Sequence, residues 1–314
     1  MRIIYGVLTV LFGLFIAIVI AAPYFFRDLE FSKVLYSREH KLLGAQISKD
    51  GQWRFPATQS IPENYAQCIV NYEDKRFYTH IGIDPISVLR ALYQNFKTGE
   101  IKSGGSTITM QLARLLLGNP KRSIFNKIKE SLLAIGIEFN FNKSEILNWY
   151  TSLAPYGGNV VGLKAALWRY FQRDEVELSW AEAALLSVLP NQPSYIHLEK
   201  NRKLLYLKRN RLLSVLFSKG FLDKSLYELS ILEEIPDKIF NMPQVSNLLL
   251  SYLISKYPQK HQFNSTIDAS IQTKFSEISI KYTKAFKQNE IHNLAILLIS
   301  NQTGEVLSLS LIHI

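Results

Sequence analysis

From Ile3 to Phe26 the chain runs for 24 residues without a charged side chain. At 1.5 Å per residue such a block is long enough to cross the hydrocarbon core of a bilayer with some tilt. A cleaved signal peptide is the competing expectation, but its apolar region is normally only about 7–15 residues long. Ala21-Ala22 resembles a cleavage site, yet Pro23 follows directly and the apolar run continues. An uncleaved, single-pass anchor is therefore expected. Arg2 and the N-terminal amine precede the block, and the charge-balanced Arg27-Asp28-Leu29-Glu30 follows it. That asymmetry predicts a cytoplasmic N-terminus and a body on the outer face of the cytoplasmic membrane, periplasmic or extracellular.

The remaining residues suffice for one large domain, or one domain plus a fragment. The 314-residue chain carries a net charge of +10. Beside an anchor, this balance suits anionic lipid head groups or a pyrophosphate better than nucleic acid. A single cysteine, Cys68, excludes an internal disulfide and reads as a small buried hydrophobe.

Residues 27–60 read as extended, with a turn at Ser48-Lys49-Asp50-Gly51 between two short strands. A capping box, Ser60-Ile61-Pro62-Glu63, predicts a helix through about Tyr72. Asp84-Pro85 starts another, with Ile86, Leu89, Tyr93 and Phe96 on one side and Gly99 after its end. Further helices are expected over roughly 107–117, 123–140, 144–154, 160–171, 179–189 and 199–219, with Ser179 and Glu182 forming a second capping box. Small helices follow at 222–234 and 244–257, a strand at 262–267 and a helix at 268–288. Ala295–Ile299 and Val306–Leu311, flanking Gln302-Thr303-Gly304-Glu305, read as a hairpin. A lone hairpin is marginal in water, so this one is expected to open a domain that the chain does not complete, with an exposed strand edge.

Three polar clusters carry chemistry. Glu73-Asp74 opens a run with Lys75, Arg76, Phe77, Tyr78 and His80. Adjacent carboxylates raise each other's pKa and apolar neighbours add desolvation, which suits a general base. An exposed, self-neutralising helix end accounts for the same residues. His80, alone among aromatics, reads as a structural or substrate contact. In Gly104-Gly105-Ser106-Thr107, the glycines permit close backbone approach and Ser106-Thr107 can cap a helix. Thr107, Gln111 and Arg114 then share one face, offering a hydroxyl, an amide and a guanidinium. A plain cap on an amphipathic helix explains the spacing but not that chemistry. In the third cluster Lys127 and Glu130, at i and i+3, form either a surface ion pair or, with Arg122, a phosphate-holding cation pair beside a second carboxylate.

Glu73–Asp84, Gly104–Gln111 and Arg122–Glu130 resemble the first three motifs of the peptidoglycan glycosyltransferase family, the N-terminal domain of class A penicillin-binding proteins. Lys143–Tyr150, running on to Gly157, Gly162 and Tyr170-Phe171, resembles the fourth, and Leu178–Pro190 the fifth. The resemblance covers about 35–220. Met110-Gln111-Leu112-Ala113-Arg114 and Ala154-Pro155-Tyr156-Gly157-Gly158 resemble one subgroup in particular. Met110 stands where most relatives have a second Gln, and Asn126 where many have an Arg.

The resemblance implies a mainly α fold: an N-terminal transmembrane helix over 1–26, a lysozyme-like helical glycosyltransferase domain over 27–220, a helical linker over 221–261 and a short α+β remnant of a transpeptidase domain over 262–314. It implies inverting polymerisation of lipid II, with Glu73 as the catalytic base and undecaprenyl pyrophosphate as the leaving group. Lys102, Arg114, Arg122 and Lys127 are the implied phosphate contacts. Asp74, Phe77, His80, Ser106, Thr107 and Gln111 shape the substrate cleft. Glu130, the second catalytic glutamate, orients the cations or binds a divalent ion. Mg or Mn at the pyrophosphate is the one cofactor left room for, and no metal ligand set is assigned. Implied partners are lipid II, undecaprenyl-pyrophosphate-linked glycan, membrane lipids and other cell-wall synthesis proteins, and no nucleic acid. Ser-x-x-Lys is absent, and Lys97-Thr98-Gly99 closes a helix, so no peptide cross-linking is expected. A lysozyme-type hydrolase and a non-catalytic lipid II-binding scaffold remain as alternatives.

Overall fold

The computed structural model describes residues 2–56, 61–98, 104–174, 177–191, 198 and 200–313, without the side chains of 2–4, 7, 8, 10, 11, 92, 95 and 311–313. The chain is mainly helical and divides into two compact units. The first comprises 1–29, 57–166 and 176–238, the second 30–56, 167–175 and 239–314.

The first unit begins with α1, Arg2–Ala21, which continues into a 3-10 turn over Ala22–Phe26. Among the described residues no helix is long and apolar enough to cross a membrane. One side of α1 docks on α5, Ile124–Asn140. Phe15 meets Phe139 edge-on at 5.1 Å, Asn140 donates to the Val19 carbonyl at 2.7 Å, and Phe26 packs between Phe141 and Trp149. Tyr5, Phe12, Leu14 and Ile20 stay exposed.

The other helices of this unit are α2 (Glu63–Glu73), α3 (Pro85–Thr98), α4 (Ile108–Leu116), α6 (Lys143–Leu153), the start of α7 (Leu163–Phe171), α8 (Trp180–Val188), α9 (Arg202–Ser218) and α10 (Lys224–Leu232). Local chemistry sets most of their starts. Thr107 caps α4 through the Met110 N–H at 3.0 Å, and Ser123 caps α5 through that of Asn126 at 3.1 Å. Ser179 and Glu182 make the expected capping box on α8, and Asn142 with Glu145 makes another on α6. The N-cap of α2 is Pro62, with no side-chain bond; Ser60, the expected cap, and Gly99 lie outside the described residues. Apolar side chains of α2, α4, α6 and α8 fill the core, including Tyr65, Ile69, Ile108, Leu112, Ile146 and Leu186. Cys68 is buried and free, as expected, and burial pushes its thiol well above the usual range.

Helix α3 departs from the core pattern. Its apolar stripe faces outward: Ile86, Leu89 and Tyr93 are exposed and Phe96 is 91% exposed. On α5, Ile124, Phe125 and Ile128 are exposed as well.

In the second unit, Lys33–Tyr36 pairs antiparallel with Leu42–Gln46 and parallel with Gln262–Asn264. The turn at 48–51 forms, closed by the Gly51 N–H on the Ser48 carbonyl at 2.9 Å, but the strands on either side of it do not pair with each other. Helices α11 (Asn247–Lys256) and α12 (Ala269–Lys287) follow. The hairpin forms over Asn293–Ile299 and Val306–His313 and does not stand alone. The Gln272 side chain of α12 donates to the Leu309 carbonyl at 3.0 Å and accepts from the Ser308 hydroxyl and the Leu309 N–H at 2.9 Å. Val306 and Leu309 pack on a core of Leu35, Leu43, Leu250, Phe263 and Ile267.

Candidate active site

Glu73 is the last residue of α2, and its carboxylate is half-buried against α4. Gln111 donates its amide to Glu73 Oε2 at 2.8 Å, and Asn191 lies 3.4 Å from Oε1. Tyr150 on α6 donates its hydroxyl to Gln111 Oε1 at 3.1 Å, which fixes the amide so that its NH2 end faces Glu73. Burial pushes Glu73 above the usual carboxylate range. The Gln111 and Asn191 bonds and the Lys208 charge draw it partly back, and the Asp74 charge adds a smaller push upward.

Asp74, its neighbour, does different work. Buried, it accepts from His80 Nε2 at 2.9 Å and from the Ile108 N–H at 3.0 Å, anchoring the histidine to the start of α4. Nδ1 of His80 accepts from the Gly82 N–H at 3.2 Å, so the Nε2 proton faces Asp74. Gly82 has φ +91°, and a Cβ there would meet the Ala134 backbone at 2.9 Å, so only glycine fits. Its carbonyl accepts the Thr107 hydroxyl at 2.6 Å. That hydroxyl is thus spent on the cap and on Gly82, and is not offered on the Gln111–Arg114 face. Gly105 also permits a close approach: a Cβ would meet the Val88 Cα at 2.9 Å.

Arg76 and Asp84 brace the loop between α2 and α3 with a two-pronged ion pair at 2.7–2.9 Å. Burial alone would raise Asp84, but bonds from Ser87 and Arg76 outweigh it and hold the carboxyl at about 2. Phe77 is buried, with the Lys143 ammonium 4.6 Å above its ring. Lys143 donates to the His80 carbonyl at 2.6 Å and to Glu138 at 2.7 Å.

One turn along α4 from Gln111, Arg114 joins the second carboxylate. Glu130 is buried, with Arg114 Nε at 3.9 Å and Lys127 Nζ at 3.4 Å. Lys127 also donates to the Ser106 hydroxyl, and Arg114 to Asn119 at 2.7 Å and the Pro120 carbonyl at 3.0 Å. The Lys127–Glu130 pair therefore forms, but with a buried carboxylate rather than on the surface. Burial lowers the Lys127 ammonium, Glu130 offsets part of that, and the Arg114 and Arg122 charges lower it further. Arg122 is exposed, and Asn126 donates to the Lys121 carbonyl at 2.8 Å. Lys102 lies outside the described residues. A carboxylate already held by two cations is a poor divalent-metal ligand, and among the described residues no group of three acidic, histidine or cysteine side chains is placed to hold a metal.

Reading the sequence for polar clusters missed Asn191, Lys208 and Tyr150 as neighbours of Glu73. Asn191 directly follows the fifth motif, Tyr150 lies within the fourth, and Lys208 opens the run Lys208-Arg209-Asn210-Arg211.

The site thus sets a carboxylate of raised proton affinity at Gln111, one turn along α4 from the Arg114 that joins Lys127 at Glu130. The chain belongs to the transglycosylase family, whose model matches residues 40–216, and it carries a peptidoglycan glycosyltransferase domain of the class A penicillin-binding protein type. It is 33% identical over 249 residues to penicillin-binding protein 1C of Escherichia coli (strain K12), covering 79% of this chain and 32% of that protein. The subgroup that Met110–Arg114 and Ala154–Gly158 resemble is that of penicillin-binding protein 1C. Penicillin-binding protein 1A of Aquifex aeolicus (strain VF5) is 31% identical over 289 residues, covering 86% of this chain and 40% of that protein. The chain thus spans about a third of the length of such relatives. Among solved structures, penicillin-binding protein 1A from Haemophilus influenzae aligns at 15% identity with a TM-score of 0.37, over 88% of this chain and 32% of that one, too weak a likeness to bear on the fold.

Proposed function

We propose that this chain polymerises lipid II into glycan strands by inverting glycosyl transfer, with Glu73 as the general base. The observation that carries the reading is the Glu73 carboxylate itself, raised by burial and aimed by Gln111. A sugar hydroxyl is a poor nucleophile at neutral pH, and a positioned base is worth roughly 10²–10⁴-fold. Glu73 takes the proton of the acceptor's 4-hydroxyl as that oxygen attacks the anomeric carbon of the donor. The lipid pyrophosphate departs as an anion and needs cations rather than a general acid. Arg114, Lys127 and Arg122 supply them, with Glu130 holding the first two in place. Asp74, His80, Phe77, Ser106 and Thr107 hold the walls of the cleft.

The same reading places the chain on the cytoplasmic membrane, with its N-terminus inside and its catalytic domain outside. The uncharged block Ile3–Phe26 supports an anchor. The outward stripe Ile86, Leu89, Tyr93 and Phe96, with Ile124, Phe125 and Ile128 on α5, supports a unit seated against lipid. A lysozyme-type hydrolase would need neither feature.

Incubating the detergent-solubilised chain with lipid II tests the function. Long glycan is the expected product. Fragments released from preformed sacculi would point to hydrolysis, and no product from either substrate would leave a lipid II-binding scaffold.

A further inference from the structure

A second group of cations stands near Glu73, on α9 and just past the end of α2 rather than on α4 and α5. Asn71, Tyr72, Lys75, Lys208, Arg211 and Leu212 line a cleft of about 230 Å³ between the end of α2 and α9. Lys208 and Arg211 are one helical turn apart on α9. Arg209 between them is buried, its guanidinium spent on the Glu233 carbonyl at 2.6 Å and the Ile231 carbonyl at 3.2 Å. Asn71 is held at the cleft by Lys219, which donates to its Oδ1 at 2.6 Å. Burial pushes the Tyr72 phenol up to about 12, with Glu73 adding to the rise and Arg211 opposing it, so it keeps its proton and remains a donor.

The contrast with Arg114 and Lys127 is informative. Those two already share Glu130. Among the described residues, Lys75, Lys208 and Arg211 have no carboxylate within the 4.0 Å of an ion pair. The Glu73 charge acts on Lys208 through space. Three cations without an ion-pair partner around a concave, partly apolar cleft attract an anion, and the guanidinium and ammonium groups match a carboxylate. In the proposed reaction Arg114, Lys127 and Arg122 take the pyrophosphate, which leaves the cations of the α2/α9 cleft for an anionic part of the substrate other than its phosphates.

We propose that Lys75, Lys208 and Arg211 form a carboxylate subsite for the peptide that branches from the sugar of the lipid-linked substrate. This rests on the glycosyltransferase reading and adds to it a recognition element for the peptide.

Equilibrium binding of a soluble, lipid-free disaccharide-peptide to the full chain tests the subsite without requiring catalysis. The same ligand with its carboxylates amidated, and inorganic pyrophosphate, serve as comparison probes. Lys75→Ala/Arg211→Ala is expected to weaken the carboxylated ligand roughly tenfold or more, the scale of losing a charge-assisted hydrogen bond. Amidation is expected to weaken binding to the wild type similarly, and pyrophosphate binding to stay unchanged in the variant. Both substitutions are on exposed residues, and an unchanged unfolding temperature would confirm that the variant folds. The subsite is refuted if the carboxylated ligand does not bind the wild type, if amidation or the double substitution changes nothing, or if the variant loses pyrophosphate instead. Failure of the wild type to polymerise lipid II would overturn the catalytic reading and leave this binding result standing.

Discussion

Two carboxylates that meet α4 one turn apart, at Gln111 and at Arg114, lie in opposite environments. Glu73 receives an amide from Gln111 and lies close to a second, that of Asn191, and burial raises it. Glu130 is buried more deeply, yet its neighbours are the Arg114 guanidinium and the Lys127 ammonium. Burial raises the proton affinity of Glu73, and its hydrogen-bond donors are neutral amides. Glu130 lies between two cations instead. The side chains at 73 and 130 are chemically identical, so the proposed division of labour rests on what surrounds each of them.

Exchanging the first carboxylate for its neutral isostere tests this contrast most severely. Glu73→Gln is expected to lower lipid II polymerisation by roughly 10²–10⁴-fold, measured as initial rate at saturating substrate. A rate within a fewfold of wild type would remove Glu73 as the base. Glu130→Gln is expected to act mainly on structure. It leaves two partly buried cations without their counter-charge, so stability falls by roughly 1–3 kcal/mol once the partial exposure of Arg114 and Lys127 is allowed for, read as a lower unfolding temperature. A rate loss as large as that of Glu73→Gln, with stability unchanged, would make the two carboxylates equals.

The pH dependence tests the Glu73 side of the contrast. Because burial raises Glu73 in the folded state, the acid limb of the rate profile should fall above the ordinary glutamate range near 4.3. The stability sign follows from the same shift. The folded state binds the Glu73 proton more tightly than the unfolded state, so its contribution is present at low pH and is lost as pH rises through the folded pKa. At pH 7 Glu73→Gln should therefore unfold at a slightly higher temperature than wild type, with the gap closing on acidification. A gap that widens on acidification would contradict the shift. The smallest effect is expected from Tyr150→Phe. Without that hydroxyl the Gln111 amide is free to turn its oxygen toward Glu73, and the rate should drop about 2- to 10-fold, the worth of one hydrogen bond.

Much of this was legible along the chain. The Thr107, Ser123 and Ser179 caps are local, and the helices they open start within a residue or two of expectation. The i, i+3 relation of Gln111 to Arg114 is a property of any helix, so one face was bound to carry both. Thr107 shows the limit of that logic. It sits at the right register, but its hydroxyl is consumed by the Met110 N–H and the Gly82 carbonyl, a partner 25 residues away. Helix α3 shows it again. The stripes of α3 and α4 look equally amphipathic, yet Ile108 and Leu112 are buried while Leu89 and Phe96 are exposed. Periodicity reports that a face is apolar and says nothing about what covers it.

The order of five motifs, the caps that start the helices and the presence of two glutamates with a set of cations were written in the sequence, because each depends on residues a few positions apart. That Glu73 has a raised proton affinity was decided by tertiary structure. Gln111, Tyr150, Asn191 and Lys208 arrive at Glu73 from four separate helices or turns. Their combined effect depends on distance and burial, quantities that spacing along a chain does not encode.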